Sequence, residues 1–85
     1  EKRYPFYPPL CKRYRDLLNA EPKEDPDNPM HEGHLAWMLQ ELQLRRMEQT
    51  KKHRWLGYIQ GIMVSKGLIS VQEEREATRE IFNGQ

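Results

Sequence analysis

Apolar positions along this chain recur at helical spacing, and no stretch alternates with the period of two that a strand needs. Leu10, Tyr14, Leu17 and Leu18 fall at i, i+4, i+7 and i+8, which predicts a short helix over 10–19 with one apolar face. Pro9 suits its first turn, where a missing N–H costs nothing. Lys12, Arg13, Arg15 and Asp16 then face water. A second helical pattern opens on Asn28 as N-cap and Pro29 as first helical residue, and runs to about Gln49. Leu35, Met38, Leu39 and Leu42 form one stripe of it, while Trp37, Leu44 and Met47 lie on nearly the opposite side. A helix apolar on two faces is sandwiched between neighbours.

A third helix is predicted over about 51–66, with Trp55, Leu56, Ile59, Ile62 and Met63 as a broad apolar face. Gly67 as C′ and Leu68 as C″ fit a Schellman ending. The last helix opens on Ser70-Val71-Gln72-Glu73, a capping box in which Ser70 and Glu73 satisfy free amides. Val71, Thr78, Ile81 and Phe82 give it a thin apolar stripe, and Asn83-Gly84 ends it.

The join between the second and third helices is ambiguous, because residues 45–54 contain no proline or glycine. One continuous helix over 29–66 would be about 57 Å long at 1.5 Å per residue, too long for a lone domain of this size. Thr50 as N-cap would instead give an antiparallel hairpin with a tight turn, and the hairpin is the favoured reading. At the N-terminus, three prolines in residues 1–9 hold an extended arm. Tyr4, Phe6 and Tyr7 give it apolar weight, so it packs back on its own domain or clasps a second subunit. Residues 20–28, with two prolines and four acidic residues, form a linker. The expected fold is therefore all-α: a small helical bundle on a helical hairpin with an extended Pro/aromatic arm. Residues 1–28 supply arm, short helix and acidic linker, and 29–85 the helical core, within one domain.

Inside the third helix, Trp55, Leu56 and Ile59 share one side while Gly57 and Gly61 sit four residues apart on the other. Each interior glycine costs roughly 1 kcal/mol relative to alanine, so two on one line predict the close approach of another backbone. Composition points the same way. A chain of 85 residues buries only about 60–65% of its unfolded surface. At 36% hydrophobic and 32% charged residues, either the core is very efficient or a partner chain completes it. Trp37, Leu44, Met47, Trp55, Gly57, Tyr58 and Gly61 are the candidate interaction residues, and a homodimer the expected assembly.

The net charge of +1 gives no global bias toward nucleic acid or anionic lipid. The single cysteine, Cys11, excludes an intrachain disulfide and fits a reducing compartment. No apolar run approaches the roughly 18–20 residues of a membrane span, and no signal-peptide pattern is visible, so the expected location is cytoplasmic, without a membrane partner. The chain begins at Glu1 rather than Met, which predicts that residues precede it.

His31-Glu32-Gly33-His34 places two histidines at i, i+3. Zinc needs a third and usually a fourth protein ligand, and the second histidine comes one residue early for the metalloprotease pattern. His53 and Cys11 are the other soft candidates, with no spacing that brings them near. The favoured reading is that His31 helps satisfy the helix start and His34 lies at a packing boundary, with no metal and no cofactor. Arg45, Arg46, Lys51, Lys52, His53 and Arg54 cluster around the turn beside Trp55 and Tyr58. Of these, Arg45, Arg46, Lys51, Lys52 and Arg54 are candidate phosphate contacts, although no recognised nucleic-acid motif accompanies them. The plainer reading pairs them with acids such as Glu41, Glu48 or the 21–27 linker. Catalysis has no nucleophile with a base, no phosphate loop and no isolated carboxylate pair. Lys12 and Arg13 could activate Cys11, but a small buried helix cysteine is favoured. No enzyme activity is expected.

The run Lys52-His53-Arg54-Trp55-Leu56-Gly57-Tyr58-Ile59-Gln60-Gly61, then Gly67-Leu68-Ile69 and Glu74-Arg75-Glu76-Ala77-Thr78-Arg79-Glu80-Ile81-Phe82, resembles a group of small uncharacterised phage-encoded proteins. In that group a His-Leu-x-Trp-Met helix, here His34-Leu35-Ala36-Trp37-Met38, precedes the Arg-Trp-Leu-Gly-Tyr-Ile-Gln-Gly helix. The likeness covers about residues 31–82 and carries over no functional residue. It implies a phage or prophage accessory protein acting in bacterial cytoplasm. The expected function is a non-enzymatic protein that binds and modulates a host or phage protein. The alternative is a nucleic-acid-associated accessory protein using the basic 45–54 cluster.

Overall fold

Four helices follow in chain order: α1 (Pro8–Leu18), α2 (Glu32–Leu44), α3 (Gln49–Ser65) and α4 (Val71–Asn83). The computed structural model describes residues 5–83, and their side chains apart from 78 and 80–83. Among the described residues there is no strand, so the fold is all-α.

The core is built from the predicted stripes. Leu10, Cys11, Tyr14 and Leu18 of α1 meet Leu35, Ala36, Leu39 and Leu42 of α2 and Leu56, Ile59 and Met63 of α3. Leu17, expected on the same face of α1, is 38% exposed. The buried positions 10, 11, 14 and 18 form a narrower stripe, and Leu17 falls just outside its edge. Residues 5–7 fold back on this core. Phe6 is buried, and Gln43 of α2 clamps its backbone from both sides. The Phe6 N–H donates to Gln43 Oε1 at 3.1 Å, and Gln43 Nε2 donates to the Phe6 carbonyl at 2.6 Å. The part of the arm at 1–4, including Tyr4, lies outside the described residues.

Helices α2 and α3 are separate, and they run antiparallel. Lys52 reaches Leu42, Trp55 lies beside Trp37, and Lys66 pairs with Glu32 at 3.7 Å. The chain leaves the helix at Arg45 (φ −96°, ψ 140°) and re-enters after Glu48 (φ −61°, ψ 147°). No breaker residue forces this. The two leucine- and isoleucine-rich faces can bury each other only if the chain reverses, and that burial outweighs helix propensity across 45–48. Both expected boundaries therefore move: α2 ends at Leu44 rather than Gln49, and Thr50 is inside the first turn of α3, with Glu48 at its N-cap.

The start of α2 moves as well. Asn28 and Pro29 do not open it; the N-cap is His31, whose side chain makes no capping bond. Asn28 spends its amide on the Asp25 carboxylate at 3.3 Å and its N–H on the Asp25 carbonyl at 3.0 Å. The 20–28 linker is tied down rather than loose. Lys23 N–H donates to the Gly33 carbonyl at 3.0 Å, and Asp25 N–H donates to His34 Nδ1 at 3.0 Å.

The end of α3 follows its sequence signal. Gly67 takes φ 76°, its N–H donates to Val64 O at 3.0 Å, and Leu68 N–H donates to Met63 O at 2.9 Å, the paired bonds of a Schellman ending. Ser70 then caps α4: its Oγ accepts from the Glu73 N–H and donates to Glu73 Oε1, both at 3.1 Å. Of the apolar stripe expected on α4, Val71 is 59% exposed, and the side chains of 78, 81 and 82 lie outside the described residues. The described side chain that α4 does bury is Glu74. It accepts a bond from the Tyr14 hydroxyl and pairs with Arg13 Nη1 at 2.6 Å, while Gln60 Nε2 donates to the Tyr14 oxygen at 2.8 Å. Burial and the bond to Glu74 push the Tyr14 phenol well above its ordinary range.

Candidate functional site

The hairpin sets both tryptophans of the chain side by side. Trp37, on α2, and Trp55, on α3, have ring centroids 6.2 Å apart and planes tilted by 38°. Both are half-buried. Together with Pro29, His34, Met38, Arg45, Arg54 and Tyr58 they line an open groove of about 550 Å³. The floor is aromatic because Trp37 lies off the stripe that α2 buries against α1, so the one apolar surface within reach is the flank of α3.

The groove's parts are held in place. His34 stacks on Trp37 at 5.4 Å with the planes 28° apart. Its Nδ1 accepts the Asp25 N–H, which places the proton of the neutral ring on Nε2. Arg45 lies over the Trp37 ring at 5.8 Å while pairing with Glu41 at 2.8 Å. Tyr58 is 40% exposed and donates its hydroxyl proton to the Pro29 carbonyl at 3.1 Å. Arg54 is exposed and has no ion pair among the described residues. Among the described residues no carboxylate lines the groove.

The structure thus brings Trp37, Trp55 and Tyr58 together and separates the other expected interaction residues from them. Leu44 is 43% exposed at the end of α2 and does not line the groove. Met47 lies in the connection and packs partly buried against the core. Among the described residues of the chain itself, no neighbouring backbone approaches Gly57 or Gly61. A Cβ built at either position meets nothing within 4 Å, so their line faces open space in the single chain. The glycine that receives another segment is Gly33, where a Cβ would stand 3.3 Å from the Glu21 carbonyl oxygen.

The basic cluster does not form one surface. Lys52 is 3% exposed; its Nζ donates to the Leu42 carbonyl at 3.0 Å and lies 5.6 Å from the Phe6 ring centre. It cannot contact a phosphate from there. Burial lowers its pKa, with the Cys11 thiol acting in the opposite direction. The ring of His53 packs edge-on against Phe6 at 5.1 Å and turns toward the arm. Arg46 and Lys51 are exposed, while Arg45 and Arg54 belong to the groove.

Cys11 is buried and donates its Sγ proton to the Phe6 carbonyl at 3.2 Å. Burial pushes its thiol up to about 11, the opposite of what a nucleophile needs. Among the described residues no group of three or more His, Cys, Asp or Glu side chains is placed to hold a metal ion. No helix of the described residues is long and apolar enough to cross a membrane.

Sequence reasoning missed the Arg13–Tyr14–Gln60–Glu74 network, which bridges three helices. It also missed the role of the linker in seating His34. No protein-family model, no curated protein and no solved structure matches the chain.

Proposed function

We propose that this protein acts by binding another protein, and that the groove between α2 and α3 is the interface. The observation that carries the reading is the placement of Trp37 and Trp55, both half-buried on an open surface with arginines at the edge. Tryptophan, tyrosine and arginine are the residues most enriched among those that dominate binding energy, and they act best when a partner completes their desolvation. Nothing in the reading calls for covalent chemistry. Under the phage or prophage origin that the resemblance implies, the partner is a host or phage protein in bacterial cytoplasm whose activity the binding modulates.

The test is a photo-crosslinking amino acid placed at Tyr58 and, as a control, at Gln72 on α4. In bacterial lysate a discrete protein adduct from position 58 alone supports the reading. Adducts that vanish on nuclease treatment support the nucleic-acid alternative instead. That alternative has narrower ground than the sequence offered it, because Lys52 is buried and the remaining cations are split between the groove and the exposed turn.

A homodimer is likewise proposed on narrower ground. Met47 is packed against the chain's own core, so the dimer is proposed on the open Gly57–Gly61 line of α3, where, among the described residues, nothing of the same chain lies within 4 Å of a built Cβ. Sedimentation equilibrium at micromolar concentration should show the dimer; a clean monomer of 10.3 kDa would remove it.

A further inference from the structure

We infer that the occupant of the groove is an acidic protein segment carrying a bulky apolar anchor residue, an inference that rests on the interaction reading above. The floor decides the anchor. Trp37 and Trp55 lie side by side with centroids 6.2 Å apart and planes tilted by 38°, and they give the groove an apolar floor on which an aliphatic or aromatic side chain rests. The rim decides the charge. Arg45 and Arg54 both line the groove, and among the described residues no carboxylate does. Arg54 has no ion pair among the described residues. Arg45 shares its guanidinium between Glu41 and the face of Trp37, so its remaining N–H groups are presented at the groove's edge. A guanidinium offers five donors in a fork that fits a carboxylate. A basic segment would meet the Arg54 charge, which has no ion pair among the described residues, while Arg45 is already paired with Glu41.

The same geometry disfavours a stacked base. A base needs an open aromatic face, and the Trp37 ring is already engaged by His34 at 5.4 Å and by Arg45 at 5.8 Å. An apolar side chain needs only contact with the exposed parts of the two indoles, not a whole open ring face.

The chain reports its own occupancy, because both of its tryptophans line the groove. Short random peptides displayed on beads are sorted on the full chain at about 0.15 M ionic strength. The enriched peptides, their charge-reversed counterparts and oligo-dT are then titrated by tryptophan fluorescence. We expect enriched peptides with net negative charge around an aromatic or aliphatic residue. Charge reversal should weaken them at least tenfold, and so should Arg54→Glu, an exposed change whose folding is checked by circular dichroism. The charge bias is read on the unaltered chain and does not depend on that variant. Enriched peptides that perturb the tryptophans but are neutral or basic overturn the acidic occupant and leave the interaction reading standing. No enriched peptide, with or without a response to oligo-dT, overturns both; a salt-sensitive response to oligo-dT installs the nucleic-acid alternative.

Discussion

The carbonyl oxygen of Glu21 lies 3.3 Å from the point where a Cβ on Gly33 would stand. At that distance the linker backbone must give way to admit even a methyl group. It is not free to do so, because Lys23 N–H is bonded to the Gly33 carbonyl. Gly61, by contrast, has nothing within 4 Å. Gly61→Ala should therefore stabilise the chain by roughly 0.5–1 kcal/mol through helix propensity alone. Gly33→Ala should show no such gain, and Gly33→Val should cost about 1–3 kcal/mol by overpacking. Urea melts of the three variants check this. Equal gains at 33 and 61 would mean the linker is not seated on α2. If a second copy covers the glycine line, the gain at Gly61 disappears and the melt becomes concentration-dependent.

These glycines mark the limit of what the sequence shows. The Schellman ending at Gly67 and the Ser70 cap are legible because their partners lie within five residues. The same holds for the apolar stripes, whose burial needs only a period. Gly33 and Gly61 have the same local appearance, each inside a helical pattern. Which of them meets a neighbour depends on where the 20–28 linker returns, and no local spacing encodes that. The groove is an intermediate case. Trp37, Trp55, Tyr58, Arg45 and Arg54 each stood out, but their union required the hairpin, and His34, stacked on Trp37 one turn away, is held there by the Asp25 N–H of the linker.

Glu74 sits in a run of charged residues, and its partners Tyr14 and Arg13 are 60 and 61 positions away. Glu74→Ala removes the acceptor of the buried Tyr14 hydroxyl. The expected cost is about 1–3 kcal/mol, below that of a fully buried pair because the Arg13 side chain is 40% exposed. Tyr14→Phe leaves Glu74 its arginine and should cost less. A double-mutant cycle between positions 14 and 74 should return a coupling of about 0.5–3 kcal/mol. Additive effects within about 0.5 kcal/mol would show that α4 docks by other contacts.

Alkaline pH probes the seam between α1 and the turn. The Cys11 thiol moves from an ordinary 9.0 to about 11 in the fold. Its folded pKa is the higher one, so its contribution is complete below pH 9 and is lost as pH rises toward 11. The size is about 2–3 kcal/mol, at 1.36 kcal/mol per unit. Tyr14, also raised by burial, adds to the loss further up. Lys52 works the other way. Its pKa is lowered by burial, so the unfolded chain binds its proton more tightly and stability rises through its window. Lys52 therefore offsets part of the fall that Cys11 and Tyr14 produce. Cys11→Ala should flatten it and Lys52→Met should steepen it in denaturant melts between pH 8 and about 11. A slope unchanged by Cys11→Ala would place the titrating group elsewhere.

Lys51 and Lys52 are neighbours with opposite fates, and charge reversal separates them. Lys51 is exposed on the first turn of α3. Lys51→Glu should leave stability within about 0.5 kcal/mol, with a slight favourable bias from placing an acid near a helix N-terminus. Lys52 is buried, bonded to the Leu42 carbonyl and packed near the Phe6 ring. Lys52→Glu would remove the donor to that carbonyl and set a second acceptor against it in an apolar site. An uncompensated buried charge typically costs 3–5 kcal/mol, a large share of the stability of a domain this small. Lys52→Met keeps the length and apolar stem and forfeits the bond to Leu42 and the ammonium near the Phe6 ring, so its expected cost is about 1–3 kcal/mol. The order Lys51→Glu, Lys52→Met, Lys52→Glu in falling melting temperature is the expected result. Equal tolerance of both reversals would mean that Lys52 reaches solvent, and would return it to the cations available to a phosphate.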